Sequence, residues 1–278
     1  DLVRSRGLGD VYKRQGYDPY KPTILLNSHI DTVKPVAGWT RDPYSPDEDE
    51  DTGRLYGLGS NDAGASLVSL IAAFAYMAGR PRTYNLVMLA SAEEEVSGRD
   101  GIESTLKVLP KIDVAIVGEP TGMRPAIAEK GLMVLDGEVH GVAGHAAREE
   151  GVNAIYKAVN VIETLREMQF DKVSPTLGPV KISVTQIEAG TQHNVVPDIC
   201  RFVVDVRTTD AYSNADTLEM MRARVPGCTL TPRSTRLNPS SIPAQHPIVE
   251  RLVMMGLEPF GSPTLSDLSL IHISEPTR

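Results

Sequence analysis

The sequence predicts an α/β protein in which a domain with a central, mostly parallel sheet carries an inserted ferredoxin-like domain of βαββαβ order. Short apolar runs without polar alternation, typical of buried parallel strands, occupy 23–27, 86–90 and 114–117. A helical pattern separates the first two runs, as expected for layered α/β domains. Beyond about residue 131 the pattern changes to strands of alternating polarity and intervening helices, which indicates a second domain.

In the first domain, residues 62–78 are predicted to form the connecting helix. Asn61 stands at the cap position and Gly79 lies just beyond the expected end. The apolar residues fall at helical spacing and give this segment one buried face: Leu67, Leu70, Ile71, Phe74 and Met77.

The second domain contains six predicted elements in the order strand, helix, strand, strand, helix, strand. They span 133–140, 153–168, 180–187, 200–206, 214–224 and 229–236.

We therefore expect the inserted domain at 131–237, between two parts of the first domain at 16–130 and 238–267. The Pro/Ser/Asn-rich stretch 238–247 is the expected return linker. Residues 1–15 and 268–278 do not continue the pattern and resemble translated adapter sequence, so we expect both ends to be non-native and the chain to be a fragment.

Composition excludes several functional classes. The 278 residues include 28 basic and 36 acidic side chains, which give a formal net charge of −8. Nucleic acids and anionic membranes are bound through clustered Lys and Arg, so neither is an expected partner. No apolar run approaches the length of about 18 residues that a membrane-spanning helix needs. Cys200 and Cys228 lie in apolar stretches and indicate free thiols, as in a cytoplasmic protein.

Chemically active side chains follow each of the three apolar strands. His29 and Asp31 follow the first strand, a triple Glu at 93–95 follows the second, and Glu119 follows the third. Asp62 stands at the start of the connecting helix. Because ligands of open α/β sheets collect at the carboxyl ends of parallel strands, these groups are expected to converge on one small volume.

Carboxylates packed this closely need a cation to neutralise them. A His/Asp/Glu set without cysteine suits zinc, cobalt or manganese, and the number of acids suits two ions that share a bridging carboxylate. Asp31 can accept a hydrogen bond from the ring nitrogen of His29 that is not on the metal. The sequence contains none of the nucleophile-elbow, phosphate-loop or dinucleotide-binding motifs, so a nucleotide enzyme is disfavoured.

An ordered set of motifs resembles one known family. The segments are NSHIDTVKP, GLGSNDAGAS, SAEEEVSG, VGEPTG, GVAGHAA and TQHNVVPD. They resemble the dinuclear-zinc family that contains acetylornithine deacetylase, succinyl-diaminopimelate desuccinylase, aminoacylase and glutamate carboxypeptidase. The likeness spans about residues 20–267 and is strongest to the acetylornithine deacetylase branch.

The resemblance implies a role for each residue at the strand ends. His29 would bind one zinc, Asp62 would bridge both, and Glu95 and Glu119 would each bind one ion. Glu94 would be the general base, and Asp31 would orient His29. A slip of one residue in the alignment of the triple Glu would make Glu93 the base instead. Two Zn²⁺ per chain, with Co²⁺ as a substitute, are the implied cofactors.

The resemblance also implies roles in the inserted domain, which would form a homodimer. His145 matches a histidine that reaches the active site of the partner subunit and stabilises the oxyanion there. Asn194 and Arg207 match positions that contact substrate, and Arg207 would bind its carboxylate.

The chain departs from the family in two places. Ala63 stands where the family often has Lys, which we interpret as variation within the branch. The family's last zinc ligand is a histidine beyond residue 267, where this chain leaves the pattern, and His272 is not a candidate for it.

The expected function is hydrolysis of an N-acyl amino acid, with N-acetylornithine as the substrate. The alternatives are an N-succinylornithine or N-succinyl-diaminopimelate desuccinylase, a dipeptidase of the same family, and an inactive homologue that acts only through its dimerisation domain.

Overall fold

The computed structural model describes residues 2–4, 11–14 and 17–273, with side-chain environments for 17–271. The described chain forms two compact units. The first combines the residues up to Met123 with those from Ser266, and the second spans Arg124–Leu265. The predicted borders of the inserted domain at 131–237, and the predicted non-native ends, stay predictions.

Sixteen strands occur in the described residues. They are β1 (Leu2–Arg4), β2 (Val11–Arg14), β3 (Thr23–His29), β4 (Asp47–Asp49), β5 (Arg54–Tyr56), β6 (Asn85–Ser91), β7 (Val114–Val117), β8 (Ala126–Glu129), β9 (Gly131–His140), β10 (Gly144–His145), β11 (Lys181–Ala189), β12 (Val195–Val196), β13 (Ile199–Thr208), β14 (Thr229–Pro232), β15 (Ser240–Ser241) and β16 (Phe260–Ser262).

Six α-helices complete the described elements. They are α1 (Ser66–Ala78), α2 (Ile102–Leu106), α3 (Ala154–Glu167), α4 (Asn214–Arg224), α5 (Pro247–Met254) and α6 (Leu268–Ile273). None of the helices in the described part of the chain is both long and apolar enough to cross a membrane.

The first unit is built on a five-stranded sheet of order β1-β2-β6-β3-β7. Its centre is parallel, because β3 pairs in parallel with both β6 and β7, whereas β2 pairs with β6 in the antiparallel sense. Helix α1 covers this sheet through Phe74, which packs in a cluster with Leu26, Leu86 and Met88. The predicted mostly parallel sheet and its three apolar strands are confirmed.

Helix α1 begins later than predicted. It starts at Ser66 with Ala65 as the N-cap and without a side-chain cap, so the predicted cap at Asn61 is wrong. The preceding residues 60–65 form a distorted turn in which Asp62 (φ −111°, ψ 100°) and Ala63 (φ −116°, ψ 30°) are not helical. The predicted end at Ala78, followed by Gly79, is confirmed.

The second unit contains the predicted ferredoxin-like arrangement. Strands β9, β11, β13 and β14 form an antiparallel sheet of order β11-β13-β9-β14, interleaved in sequence with α3 and α4. The core lies between this sheet and the two helices and includes Met133, Leu135, Phe202, Leu165 and Met221, all at most 2% exposed. Strand β14 ends at Pro232, four residues earlier than predicted, and its contact with β9 closes with the hydrogen bond from the N–H of Arg233 to the carbonyl oxygen of Val134 at 2.9 Å.

Two small sheets of the second unit were not predicted. Strands β15, β8 and β16 form one, and β10 pairs with β12 in the other. Each of these strands has only two to four residues, too few to show a period in the sequence.

Candidate metal centre

The carboxyl ends of three parallel strands meet at one edge of the first sheet. In the β3–β6 register, His29 lies directly opposite Ser91, and Asn27 of the same strand pairs with Val117 of β7. The side chains that follow these strands are therefore brought to the same edge, as predicted.

His29 is the buried centre of this group, with an exposed fraction of 2%. Its Nδ1 lies 2.9 Å from the backbone carbonyl oxygen of Asp31, and its Nε2 lies 3.0 Å from Oδ1 of Asp62. Because a carbonyl oxygen only accepts hydrogen bonds, Nδ1 carries the proton. Nε2 faces the acids, so it donates to Asp62 when the ring is protonated and offers its lone pair to a cation when it is not.

Three of the predicted ligands form a compact donor group. The candidate ligand atoms of His29, Asp62 and Glu95 all lie within 4.8 Å of one another. Glu119 adjoins this group, with its Oε2 3.8 Å from Nε2 of His29. Its other oxygen, Oε1, is buried and has no hydrogen-bond partner.

These donors fit a divalent metal. One imidazole and several carboxylates are the ligand types that zinc, cobalt and manganese accept. A buried carboxylate oxygen without a partner is costly unless a cation or a donor satisfies it, and Oε1 of Glu119 is such an atom.

Asp31 differs from its predicted role in one respect. The hydrogen bond that orients His29 goes to the backbone carbonyl of Asp31, while the Asp31 carboxylate is 3.5 Å from Nδ1. That carboxylate accepts hydrogen bonds from the backbone N–H groups of Glu94 (3.2 Å) and Glu95 (3.1 Å). The backbone of Asp31 thus holds the imidazole, and its side chain holds the turn that carries the acids.

The acids of the site have raised pKa values. Burial, followed by repulsion from Asp267, raises the pKa of Glu94 to about 7. Burial, followed by repulsion from Glu94, raises the pKa of Glu119 to about 8. Burial and the nearby Asp62 also raise the pKa of Glu95. Several carboxylates share a small, partly desolvated volume, which is the electrostatic condition that a bound cation relieves.

Burial lowers the pKa of His29, but the carboxyls of Glu119 and Glu94 outweigh this effect, so the net shift is upward. The imidazole therefore sits in a strongly negative environment.

Glu93 is directed differently from its two neighbours. It adopts a positive φ of 60°, and its Oε2 accepts a hydrogen bond from the backbone N–H of Asp100 at 3.1 Å. Gly98 lies directly against this side chain, where a Cβ would come within 1.8 Å of Oε2. Glu93 thus contributes to the loop structure.

One acid of the site, Asp267, was not predicted from the sequence. Its side chain is buried, with an exposed fraction of 3%, and it contacts Asn27 and Ser91 beneath the strand ends. It lies in a Ser/Thr/Pro-containing segment without periodicity, so no local signal identified it.

The remaining predicted site residues lie in the second unit. His145 is exposed on β10, and the N–H of the next residue, Ala146, donates to the backbone carbonyl of Asn194 at 2.9 Å. Arg207, on β13, donates two hydrogen bonds to the carboxylate of Asp205, at 2.9 and 3.1 Å. The structure thus brings the chain segments of His145 and Asn194 together.

Known proteins similar to this chain include two amino-acid deacylases. Residues 127–226 match the family model of the M20 peptidase dimerisation domain. The chain is 30% identical over 237 residues to the succinyl-diaminopimelate desuccinylase of Paracoccus denitrificans. The aligned region covers 80% of this chain and 61% of that protein. The chain is also 30% identical over 219 residues to the acetylornithine deacetylase of Proteus mirabilis, with coverage of 73% and 56%. The chain therefore spans about three fifths of the length of these curated relatives.

Solved structures share the fold at lower identity. A tripeptidase from Staphylococcus aureus superposes with a TM-score of 0.74 at 19% identity, covering 98% of this chain and 77% of that chain. A dinuclear metal-binding peptidase of the M20 family from Bacillus subtilis gives a TM-score of 0.67 at 15% identity, with coverage of 99% and 76%. The chain thus contains a segment that matches the M20 peptidase dimerisation domain, is similar in sequence to a desuccinylase and a deacetylase, and shares its fold with a peptidase of the M20 family.

Proposed function

We propose that the protein is a metal-dependent amidohydrolase that removes the acyl group of an N-acyl amino acid. The convergence of His29, Asp62, Glu95 and Glu119 at one sheet edge carries this proposal. These four residues would hold two Zn²⁺ ions, for which Co²⁺ would substitute, and Asp62 would be the ligand that the two ions share. When bound, the ions supply Lewis acidity that lowers the pKa of water and polarises the amide carbonyl.

Glu94 serves as the general base in this proposal. It takes a proton from the attacking water and delivers it to the leaving amine, and its partly buried position beside the proposed ligands suits this role, because desolvation makes a carboxylate a stronger base. The hydrogen bonds from the Glu94 and Glu95 backbones to Asp31 support this role, because they fix the turn. The Glu93 carboxylate accepts a hydrogen bond from the backbone N–H of Asp100 in the loop, which favours Glu94 as the base.

The second unit supplies the remaining proposed residues. His145 stabilises the oxyanion in the active site of the partner subunit of a homodimer. Asn194 contacts the substrate, and Arg207 binds its carboxylate. The two hydrogen bonds to Asp205 support this role of Arg207, because they hold its guanidinium in a defined plane.

N-acetylornithine is the proposed substrate, and the cytoplasm is the proposed location. The similarity to a succinyl-diaminopimelate desuccinylase favours N-succinylornithine or N-succinyl-diaminopimelate as the second candidate, because identity to that relative is equally high. The succinylated substrates differ from N-acetylornithine in the acyl group, and N-succinyl-diaminopimelate differs also in the amino acid, whereas the proposed metal centre is the same for all three.

The test uses the chain extended by its natural downstream sequence, loaded with Zn²⁺. Turnover of the three substrates is compared for wild type, Glu94→Gln and the matched control Glu93→Gln. We expect Glu94→Gln to lower kcat by about a hundredfold to ten-thousandfold. Glu93→Gln should stay within a few-fold of wild type, since Gln retains the oxygen that binds Asp100.

A large loss of kcat in Glu93→Gln, with Glu94→Gln close to wild type, would make Glu93 the base. A protein that contains bound zinc but cleaves none of the three substrates would refute the proposed substrate class. Absence of both zinc and turnover would support the inactive homologue instead.

A further inference from the structure

A buried acid that the proposed reaction does not use lies beneath the metal centre. Asp267 is 3% exposed, and its Oδ2 accepts hydrogen bonds from Oγ of Ser91 at 2.6 Å and from Nδ2 of Asn27 at 2.8 Å. Both donors are themselves fully buried. Hydrogen bonds to a buried carboxylate are among the stronger ones in proteins, so this contact is a firm link between the three residues.

The partners of Asp267 stand next to the metal-site residues in the sheet. Ser91 is directly opposite His29 in the parallel register, and Asn27 precedes His29 by two residues. Since alternate residues of a strand share a face, Asn27, His29 and Ser91 lie on the same side of the sheet. Ser91 also ends β6, so the chain passes from it through Ala92 into the triple Glu.

The orientation of Asn27 shows that the contact is directional. Its Oδ1 is buried and has no hydrogen-bond partner. A flip of the amide would place this oxygen against the carboxylate of Asp267, where two acceptors would repel each other. The Asn27 amide is therefore held with its NH₂ toward Asp267, at the cost of an unpaired acceptor.

We propose that Asp267 is a positioning residue that ties the end of β3, which carries His29, to the end of β6, which leads to Glu94 and Glu95. In this role it sets the spacing between the imidazole and the acidic turn without contacting the metal. The inference rests on the proposed metal centre and adds a residue to its support.

The test measures Co²⁺ binding by titration and by its visible absorption spectrum, together with the melting temperature of the metal-free protein. Asp267→Asn, Asn27→Ala and Ser91→Ala each remove part of the link. Each change loosens the spacing between His29 and the acidic turn, so we expect Co²⁺ affinity to fall by about tenfold and the spectrum to change in all three. Ser91→Ala changes the volume least and keeps the test valid where the other variants fail to fold.

Asn85→Ala is the matched control. Asn85 is also buried, and it stands at the opposite end of β6, where its side chain bonds Asp18, Lys21 and Thr23. We expect this variant to lose stability but to retain the Co²⁺ affinity and spectrum of wild type.

Two outcomes would overturn the positioning role of Asp267 but leave the proposed metal centre intact. One is unchanged Co²⁺ binding in all three variants. The other is a loss confined to Asp267→Asn, which would make Asp267 a metal ligand. A wild-type protein that binds no Co²⁺ would instead refute the proposed metal centre, and the inference with it.

Discussion

Replacing Glu119 by Gln should stabilise the metal-free protein at alkaline pH although it removes a proposed metal ligand. The folded structure holds this carboxyl partly buried beside Glu94, which raises its pKa from 4.5 to about 8. An acid whose pKa is higher in the folded state binds its proton more tightly there than in the unfolded chain. The folded state therefore loses stability as the pH rises from about 4.5 toward 8, and changes little above that range.

The magnitude follows from the size of the shift. One pKa unit corresponds to about 1.4 kcal/mol, so the rise from 4.5 to about 8 sets an upper limit of about 5 kcal/mol. Glu94 repels Glu119 and shares the titration, which divides this energy between the two groups. We therefore expect wild type to lose about 2–4 kcal/mol relative to Glu119→Gln between pH 5 and pH 8.

Urea unfolding in the presence of a chelator, at pH 5 and at pH 8, measures this difference. Glu48→Gln, at an exposed position of the β4–β5 hairpin, is the control for loss of one negative charge. The reasoning is refuted if the stability difference between wild type and Glu119→Gln is the same at both pH values. Addition of Zn²⁺ at pH 8 should make wild type more stable than Glu119→Gln, because only wild type retains all four proposed ligands.

Two further substitutions test the turn and the core. Asp31→Asn replaces a carboxylate that accepts two backbone N–H groups by an amide with one acceptor oxygen, so one charge-assisted hydrogen bond of about 1.5–3 kcal/mol is lost. Co²⁺ titration should show a roughly 10- to 150-fold weaker affinity, and wild-type affinity would contradict the role of the side chain. Gly137→Ala would place a Cβ 2.4 Å from the ring of Phe202, which is 2% exposed, and should cost about 1–3 kcal/mol. Thermal unfolding measures this cost, and a double variant with Phe202→Leu should cost less than the sum of the single changes.

The parallel strands could be predicted because a strand that is buried on both faces is a continuous apolar run in the sequence. The runs at 23–27 and 86–90 lack polar alternation, and each gained only one or two residues at its ends in the structure. Once the strands were known, the position of the acids followed, since the carboxyl ends of parallel strands share one edge. The site could thus be predicted as a group of residues before any distance was known.

The details of the site depended on backbone geometry that local patterns do not encode. Asn61 and Asp62 have the composition of a helix start, yet tertiary structure holds Asp62 outside the helix, where its Oδ1 approaches His29. The spacing of His29 and Asp31 was equally compatible with a bond to the carboxylate or to the carbonyl oxygen. In the folded chain the backbone carbonyl oxygen of Asp31 lies nearer to Nδ1 of His29 than the carboxylate does.

Asp267 marks the limit of prediction from sequence for a physical reason. Its partners Asn27 and Ser91 are 240 and 176 residues away in the chain, so no local period or capping rule connects them. A single buried acid leaves no pattern of its own, whereas an acid on a strand end is located by the strand. The residues proposed to bind a metal were therefore accessible to sequence reasoning, because each adjoins a recognisable element. The residue proposed to space those elements required the folded chain, since its role is defined by the contacts it makes across the sheet.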